Sequence, residues 1–558
     1  MRRTRFRQWS LAAGTLFLCA LSLLAAEAAS RAFLPVPARA IKDDKYPLFL
    51  SENAEPFFRV ERREGARILT QSPTVGKSVQ GQVFRLPKPP GVRRILVVGE
   101  SSADILGFAL RTLIQRNQRA REFEIMNCAV GGGSLEMAEN RFDECAKMAP
   151  DAVVVLFGHN LFYRHVAASW ARQRAARLLR RSRLILWFAE RAERRDLETA
   201  FTSEVRLRAL DRVLRKIARE CRRQKVPLIL GTLPSNLWFP PQPKADDLYA
   251  VEFMEAQRLH DVGRLREAIE LLLRAVGRKP SALWHFTVGD WLYHDQGDYR
   301  GAYEQLASAR DLDPSRERAG TAVNDLIRRV AADERAPLFD AERLIRESAP
   351  HGIAGWETFR DPQHVKMRGF ESWGADVLRL LAERGGVAAK GGWLLSPPAS
   401  EPDLPLNRDF KNIVAMCWWG KTWLVHMALH RPADVLKDGE AAVRSLWHDP
   451  AEQSDALLQL AEALWRSGLH RQALAFNETA ARLAPTAVAP PLQRGRFFLR
   501  EGERASAFRE FGDAAAGDPR NPEAAFFLAS ERGVHPATLL DAEVPAPKSE
   551  LRKITRTR

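Results

Sequence analysis

Four short apolar runs in the chain each close on glycine: Ile95-Leu96-Val97-Val98 on Gly99, Phe123 to Val130 on Gly131-Gly132-Gly133, Ala152 to Phe157 on Gly158, and Val226 to Leu230 on Gly231. Runs this short, rich in Val and Ile and bounded by turn residues, read as strands buried on both faces. Helical spacing follows the first through Leu110, Leu113 and Ile114, and follows the second through Leu135, Met137 and Phe142. Strands alternating with helices predict an α/β domain with a parallel sheet. In such sheets functional groups gather beyond the carboxyl ends of the strands, and Ser101, Gly132 and Asn160 all fall there.

A serine on a strand-to-helix turn exposes its hydroxyl, and the N–H groups at the helix start favour an anion beside it. Ser101 has that setting, although serine at such a turn is also a common helix cap. Ser102 is a neighbouring hydroxyl and the second candidate nucleophile. Asp361-Pro362-Gln363-His364 places a carboxylate three residues before an imidazole, so one tight turn can bring the carboxylate to Nδ1 and leave Nε2 to take a proton. A capping Asp and an exposed His before a helix would look the same. Serine needs a base to become a nucleophile, and histidine titrates nearest to neutral pH.

Together, Gly99-Glu100-Ser101-Ser102, Asn127-Cys128-Ala129-Val130-Gly131-Gly132, Gly158-His159-Asn160 and Asp361-x-x-His364 resemble, in order, the four blocks of the SGNH, or GDSL-like, hydrolase family. Arg94-Ile95 before the first strand and Gly369 after His364 agree with that pattern, which spans residues 84 to 250 and 335 to 386. The resemblance implies a flavodoxin-like three-layer fold with no cofactor and no metal. It further implies that Ser101 attacks an ester carbonyl, His364 relays protons and Asp361 orients His364. The backbone N–H groups of Ser101 and Gly132, with the Asn160 amide, would form the oxyanion hole. Three positions depart from the family pattern: Glu100 stands where Asp is usual, Ala129 where Gly is frequent, and Leu161 where Asp often follows the Asn.

From Tyr249 the texture changes to Ala-rich helical spacing. Two units superpose at 34 residues, matching Gly263 with Gly297, Ala268 with Ala302, Leu272 with Leu306, Ala275 with Ala309 and Pro280 with Pro314. A second pair at the same period matches Ala461 with Gly495, Gly468 with Gly502, Ala473 with Ala507, Ala480 with Ala514 and Pro485 with Pro519. These units look like tetratricopeptide repeats, whose small residues let paired helices approach. The first pair interrupts the α/β domain before Pro337-Leu338-Phe339-Asp340, which reads as a further strand. Two repeats fall short of the ~3 needed for independent stability, so the insertion is expected to pack on the hydrolase domain or join the carboxyl-terminal array.

Arg2, Arg3, Arg5 and Arg7 precede an apolar run from Leu11 to Ala26, the order of an export signal. An uncleaved anchor with the bulk of the chain outside the cytoplasm is the expectation, with cleavage near Ala26-Glu27-Ala28 and secretion as the alternative. The five cysteines, Cys19, Cys128, Cys145, Cys221 and Cys417, are scattered and never in C-x-x-C spacing, so they read as buried thiols. The net charge of +16 carries no phosphate loop, zinc finger or aromatic single-strand platform with it, which argues against nucleic acid. Its densest stretch, ten Arg from Arg164 to Arg195 interleaved with Leu178, Leu179, Leu184, Leu186 and Trp187, reads as an amphipathic helix with either a solvated basic face or a contact to anionic lipid.

The expected organisation is a signal or anchor at 1–30, an irregular lead-in at 31–90, and the hydrolase domain at 91–248 and 335–386. Inserted repeats occupy 249–316 and a linker 387–405. Carboxyl-terminal repeats run over 406–535, with Trp418, Trp419 and Trp423 in a degenerate first unit, and a basic tail covers 536–558. The expected function is an exported serine esterase, O-acyl hydrolase or acyl transferase acting on an envelope component such as a polysaccharide. Its repeats would recruit a protein partner, and its amino terminus would hold the membrane. The alternative is a catalytically silent binding module of the same fold in a repeat scaffold.

Overall fold

Ile95, Leu96, Val97 and Val98 are all fully buried, the condition under which a strand needs no polar face. The computed structural model describes residues 21–22, 24–33, 57–63, 65–71, 82–117, 119, 122–162, 203–385 and 432–533. Its first elements are β1 (Phe58–Arg63), β2 (Ala66–Gln71), β3 (Val83–Leu86), β4 (Arg93–Gly99), α1 (Ser101–Arg116), β5 (Phe123–Asn127), α2 (Leu135–Cys145), β6 (Ala152–Leu156), α3 (Ser203–Gln224) and β7 (Leu228–Gly231). Then come α4 (Ala245–Leu248), α5 (Val251–Asp261), α6 (Leu265–Arg278), α7 (Ala282–Trp291), α8 (Tyr299–Leu312), α9 (Thr321–Asp333), β8 (Leu338–Phe339), α10 (Ala341–Ser348) and α11 (Met367–Gly385). The chain closes with α12 (Pro432–Leu446), α13 (Pro450–Arg466), α14 (His470–Leu483), α15 (Ala489–Arg500), α16 (Arg504–Gly517) and α17 (Pro522–Glu531).

These elements divide into two units, neither continuous in sequence. The first takes the described residues as far as Ser235, then Glu317–Leu344, then 365–385; the second takes Asn236–Arg316, Ile345–His364 and 432–533.

In the first unit five parallel strands stand in the order β5-β4-β6-β7-β8. Ile95 pairs with Ile125 on one side and Ala152 on the other, so β4 lies between β5 and β6. Chain connections run both ways from β4, the arrangement that opens a crevice at the carboxyl ends of β4 and its neighbours. Helices α1 and α11 pack together, as do α3 and α9, and α2 lies against α3. The expected α/β class and parallel sheet are present. Arg94 is fully buried within β4. Its Nε donates to Glu124 at 2.9 Å and its Nη1 to the Met148 carbonyl at 2.7 Å, while its backbone N–H donates to Asp151 at 2.6 Å.

The lead-in expected to be irregular is corrected by a three-stranded antiparallel sheet in the order β1-β2-β3. It was hidden because Arg and Glu are common at the exposed positions, leaving Phe58, Ile68, Leu69 and Phe84 as the buried apolar residues of three short strands. Glu144 at the end of α2 accepts the N–H groups of Phe57 and Phe58 at 3.0 Å each. Gln82 pairs both ways with the Asn127 backbone at 2.9 Å, so its amide takes the place of a further strand residue at the edge of β5.

The second unit is built of helix pairs. α5 and α6, α7 and α8, α13 and α14, and α15 and α16 form successive hairpins, closed by α17. Each hairpin turns through a glycine in the left-handed region, Gly263, Gly297, Gly468 and Gly502, at φ between +68° and +79°. Ala268, Ala302, Ala473 and Ala507 are fully buried where the paired helices meet. The inserted repeats join the carboxyl-terminal ones. Met254 of α5 shares a core with Leu492, Phe511 and Phe527, and Asp261 accepts Arg496 Nε at 2.7 Å and Arg500 Nε at 2.8 Å.

The stretch carrying Asp361 and His364 was expected to belong to the hydrolase domain, but it groups with the second unit. Asn236 N–H donates to the Pro362 carbonyl at 3.1 Å, Leu237 N–H to that of Ala354 at 3.0 Å, and Phe239 packs against Trp356. The segment from Val365 through α11 returns to the first unit.

Residues 24–33 are helical, and among the described residues no helix is long and apolar enough to cross a membrane. Arg2 to Arg7, most of the Leu11 to Ala26 run, the Arg164 to Arg195 stretch, the 387–405 linker, Trp418, Trp419 and Trp423, Cys19, Cys417 and the 536–558 tail lie outside the described residues.

Candidate active site

Gly99 ends β4 where the chain passes so close to β6 that a Cβ would stand 1.9 Å from the Leu156 carbonyl oxygen. Only glycine fits there, and the sharp turn that follows delivers Ser101 as the first residue of α1. Ser101 is half-buried, at the amino end of a 16-residue helix, where the helix dipole favours a developing negative charge. Ser102 is buried, and its hydroxyl has no hydrogen-bond partner among the described residues.

The loop after β5 begins beside that turn, with Val130 N–H donating to the Gly99 carbonyl at 3.2 Å. It is folded by Gly133 N–H on the Val130 carbonyl at 2.9 Å, and Gly132 takes φ +69° with its backbone exposed. Asn127 anchors the base of the loop, its amide donating to the Asp104 carbonyl and carboxylate at 2.9 and 3.0 Å while its Oδ1 accepts Ala129 N–H at 3.2 Å.

After β6 a short 3-10 turn, His159–Phe162, carries Asn160. The Asn160 amide donates to the Gly133 carbonyl at 3.3 Å, which brings it to the glycine loop. Arg206 of α3 supports the turn, its Nε donating to the Leu161 carbonyl at 2.7 Å and its Nη1 to Glu136 at 2.6 Å. Ser101, Gly132 and Asn160 thus stand at the carboxyl ends of three adjacent strands of one sheet.

In the sequence Glu100 stands out only as a residue where Asp is usual. The structure shows it fully buried, with its carboxylate accepting the N–H groups of Gly158, His159 and Asn160 at 3.2, 2.8 and 2.7 Å. Burial pushes its carboxyl up to about 7, against the opposing pull of those three donors. No sequence signal separates such a residue from a solvated turn glutamate, because its partners are backbone groups 58 to 60 residues away.

In the second unit Asp361 and His364 form the expected pair. Asp361 Oδ2 lies 2.7 Å from His364 Nδ1, and Oδ1 accepts the N–H groups of Gln363 at 2.8 Å and His364 at 2.7 Å. Arg360 N–H closes the turn on the His364 carbonyl at 3.0 Å. A carboxylate at Nδ1 makes that nitrogen the protonated one, so Nε2 is the basic nitrogen of the ring. Burial works to raise the Asp361 carboxyl, but the His364 ring and the two N–H donors together hold it below the ordinary carboxylate range.

Cys128, Cys145 and Cys221 are buried thiols, and burial drives the Cys128 thiol well up and the Cys221 thiol to about 12. Among the described residues no group of His, Cys, Asp and Glu is arranged to hold a metal ion.

No family model and no curated protein matches the chain. Among solved structures it has low similarity to a GDSL-like lipase from Bacteroides thetaiotaomicron VPI-5482, with TM-score 0.27 and 11% identity over 52% of this chain and 88% of that one. It also resembles Naa15/Naa10 bound to HypK-THB, with TM-score 0.15 and 14% identity over 81% of this chain and 64% of that one. At these scores neither likeness assigns an activity.

Proposed function

We propose that the chain is an SGNH-type serine hydrolase or acyl transferase, in which Ser101, His364 and Asp361 act on one ester. The observation that carries the reading is the Asp361–His364 pair at 2.7 Å, a geometry that fixes the imidazole as a base at Nε2. Its complement is Ser101 at a helix start beside the Gly132 loop and Asn160.

In this reading His364 Nε2 takes the Ser101 hydroxyl proton as Oγ attacks the ester carbonyl. The tetrahedral oxyanion is met by the N–H groups of Ser101 and Gly132 and by the Asn160 amide, which exchanges its 3.3 Å bond to Gly133 for the stronger charged acceptor. His364 returns the proton to the departing alcohol, and water or a second hydroxyl then releases the acyl group. No cofactor is required.

Export through the Arg-led amino terminus and recruitment of a protein partner by the 34-residue repeats, read as tetratricopeptide-like, complete the proposal. The substrate is an O-acylated envelope component such as a polysaccharide.

A fluorophosphonate probe tests the chemistry. Labelling of the full chain that disappears in Ser101→Ala and weakens in His364→Ala supports the reading, and Asn160→Ala should lower ester turnover by about 10²–10³-fold. A folded sample that is never labelled, and hydrolyses no ester, would make the domain a binding module instead.

A further inference from the structure

Glu100 joins two halves of the proposed oxyanion site. It precedes Ser101 directly, and its backbone is locked by Glu100 N–H on the Leu156 carbonyl at 3.4 Å and by Asp104 N–H on its own carbonyl at 2.9 Å. Its side chain reaches across to the segment after β6, where Oε1 takes the N–H groups of Gly158 and His159 and Oε2 that of Asn160. One carboxylate therefore holds three consecutive backbone donors and sets where Asn160 stands relative to the Ser101 turn. An aspartate would fall about 1.5 Å short of that position.

We propose that Glu100 is the positioning residue for Asn160 and does this only as the carboxylate, so that the site is switched on by ionisation of Glu100 in addition to deprotonation of His364. This rests on the reading of Ser101 as the nucleophile.

The physical reason lies in the donor count. All three groups facing the carboxyl are N–H donors, and a carboxylate offers them acceptors only. A protonated carboxyl still has sites for three donors, but its hydroxyl oxygen is a much weaker acceptor, and none of the three N–H groups can accept its O–H, so its hold on the Asn160 turn loosens.

The titratable neighbours do not substitute for the lost charge. His159 accepts the Ala319 N–H at Nδ1, 2.9 Å away, so its ring is held in the neutral form. Asp104 on α1 is engaged by the Asn127 amide, and Arg111 further along the same helix feels the charge of Asp104. Burial, opposed only by the three N–H groups, brings the change into the neutral range.

The test follows hydrolysis of 4-nitrophenyl acetate by the full chain and its Glu100→Gln and Glu100→Asp variants across pH. In the wild type the acid limb of log kcat should fall with a slope of about two, because two groups must lose protons. In Glu100→Gln the slope should become about one, with kcat lower by about 10–100-fold and KM nearly unchanged. Glu100→Asp, whose carboxylate stops short of the three donors, should lose kcat as well. A wild-type slope of one, or wild-type kcat in Glu100→Gln, overturns the inference.

Isotope-edited infrared spectra of glutamate carboxyls in the wild type give a readout free of catalysis and of variant folding. A buried acid band should vanish as pH rises through neutrality, and a carboxyl that keeps one form throughout overturns the inference. If the wild type neither hydrolyses the ester nor is labelled at Ser101, the hydrolase reading fails, and the infrared titration still decides the fate of Glu100.

Discussion

Two buried carboxyls in this protein carry opposite linkage to pH. Glu100 is raised from 4.5 to about 7, so the folded state holds a proton that the unfolded chain has lost between those values. Its contribution is fully present below the unfolded value and is lost as pH rises through about 7, an effect of about 3 kcal/mol. Urea denaturation at stepped pH should show that downward slope in the wild type and its absence in Glu100→Gln. Asp361 is depressed by its contacts to His364 and Gln363, so its contribution is present above the ordinary carboxyl range and is lost as pH falls through its folded value. In Asp361→Asn the loss of stability on acidification should be shallower. Gly99 is decided by sterics alone: with the Leu156 carbonyl 1.9 Å from a Cβ, Gly99→Ala should destabilise the sheet by about 3 kcal/mol in the same assay. The candidate serine, asparagine, aspartate and histidine are residue types that announce chemistry in a sequence. Glu100 does not, because its meaning comes from three backbone groups that only the fold brings to it.

At the scale of elements, the 34-residue period was legible because every repeat needs small residues where paired helices meet and a left-handed turn between them. That requirement separates two kinds of glycine. Gly468 takes φ +77° with open space around it, so Gly468→Ala should cost about 1–2 kcal/mol through backbone strain alone. Gly495 has no such φ, but a Cβ there would stand 2.4 Å from the Phe511 ring, so Gly495→Ala acts through overpacking and should cost about 1–3 kcal/mol. Thermal unfolding with the smaller side chain of Phe511→Leu added distinguishes them: it should rescue the second variant and leave the first unchanged. The parallel strands were legible for the same reason as the repeats, since burial on both faces leaves a continuous apolar run. The antiparallel strands β1 to β3 were not, because four buried apolar residues are spread over three short segments.

At the scale of the molecule, the inserted and carboxyl-terminal repeats are joined by a charge network centred on the buried Asp261. Burial alone would raise the Asp261 carboxyl, but Arg496 and Arg500 hold it far below its ordinary range, and Arg500 also donates to Glu462 at 2.7 Å. A second link pairs Arg466 with Asp290 at 2.9 Å. Asp261→Ala would leave two half-buried arginines without their shared anion and should destabilise the repeat unit by about 3 kcal/mol, read as a lower denaturation midpoint and faster proteolysis within α5. By itself the sequence determined the parallel sheet, the helix-pair period and the identity of the chemical groups, since each depends on local spacing and on burial that recurs along the chain. Only tertiary structure decided that the two sets of repeats share a core, that the Asp361–His364 turn groups with them, and that Glu100 clamps the Asn160 turn. Those outcomes depend on contacts between residues 58 to 239 positions apart, and a single sequence carries no periodic trace of such contacts.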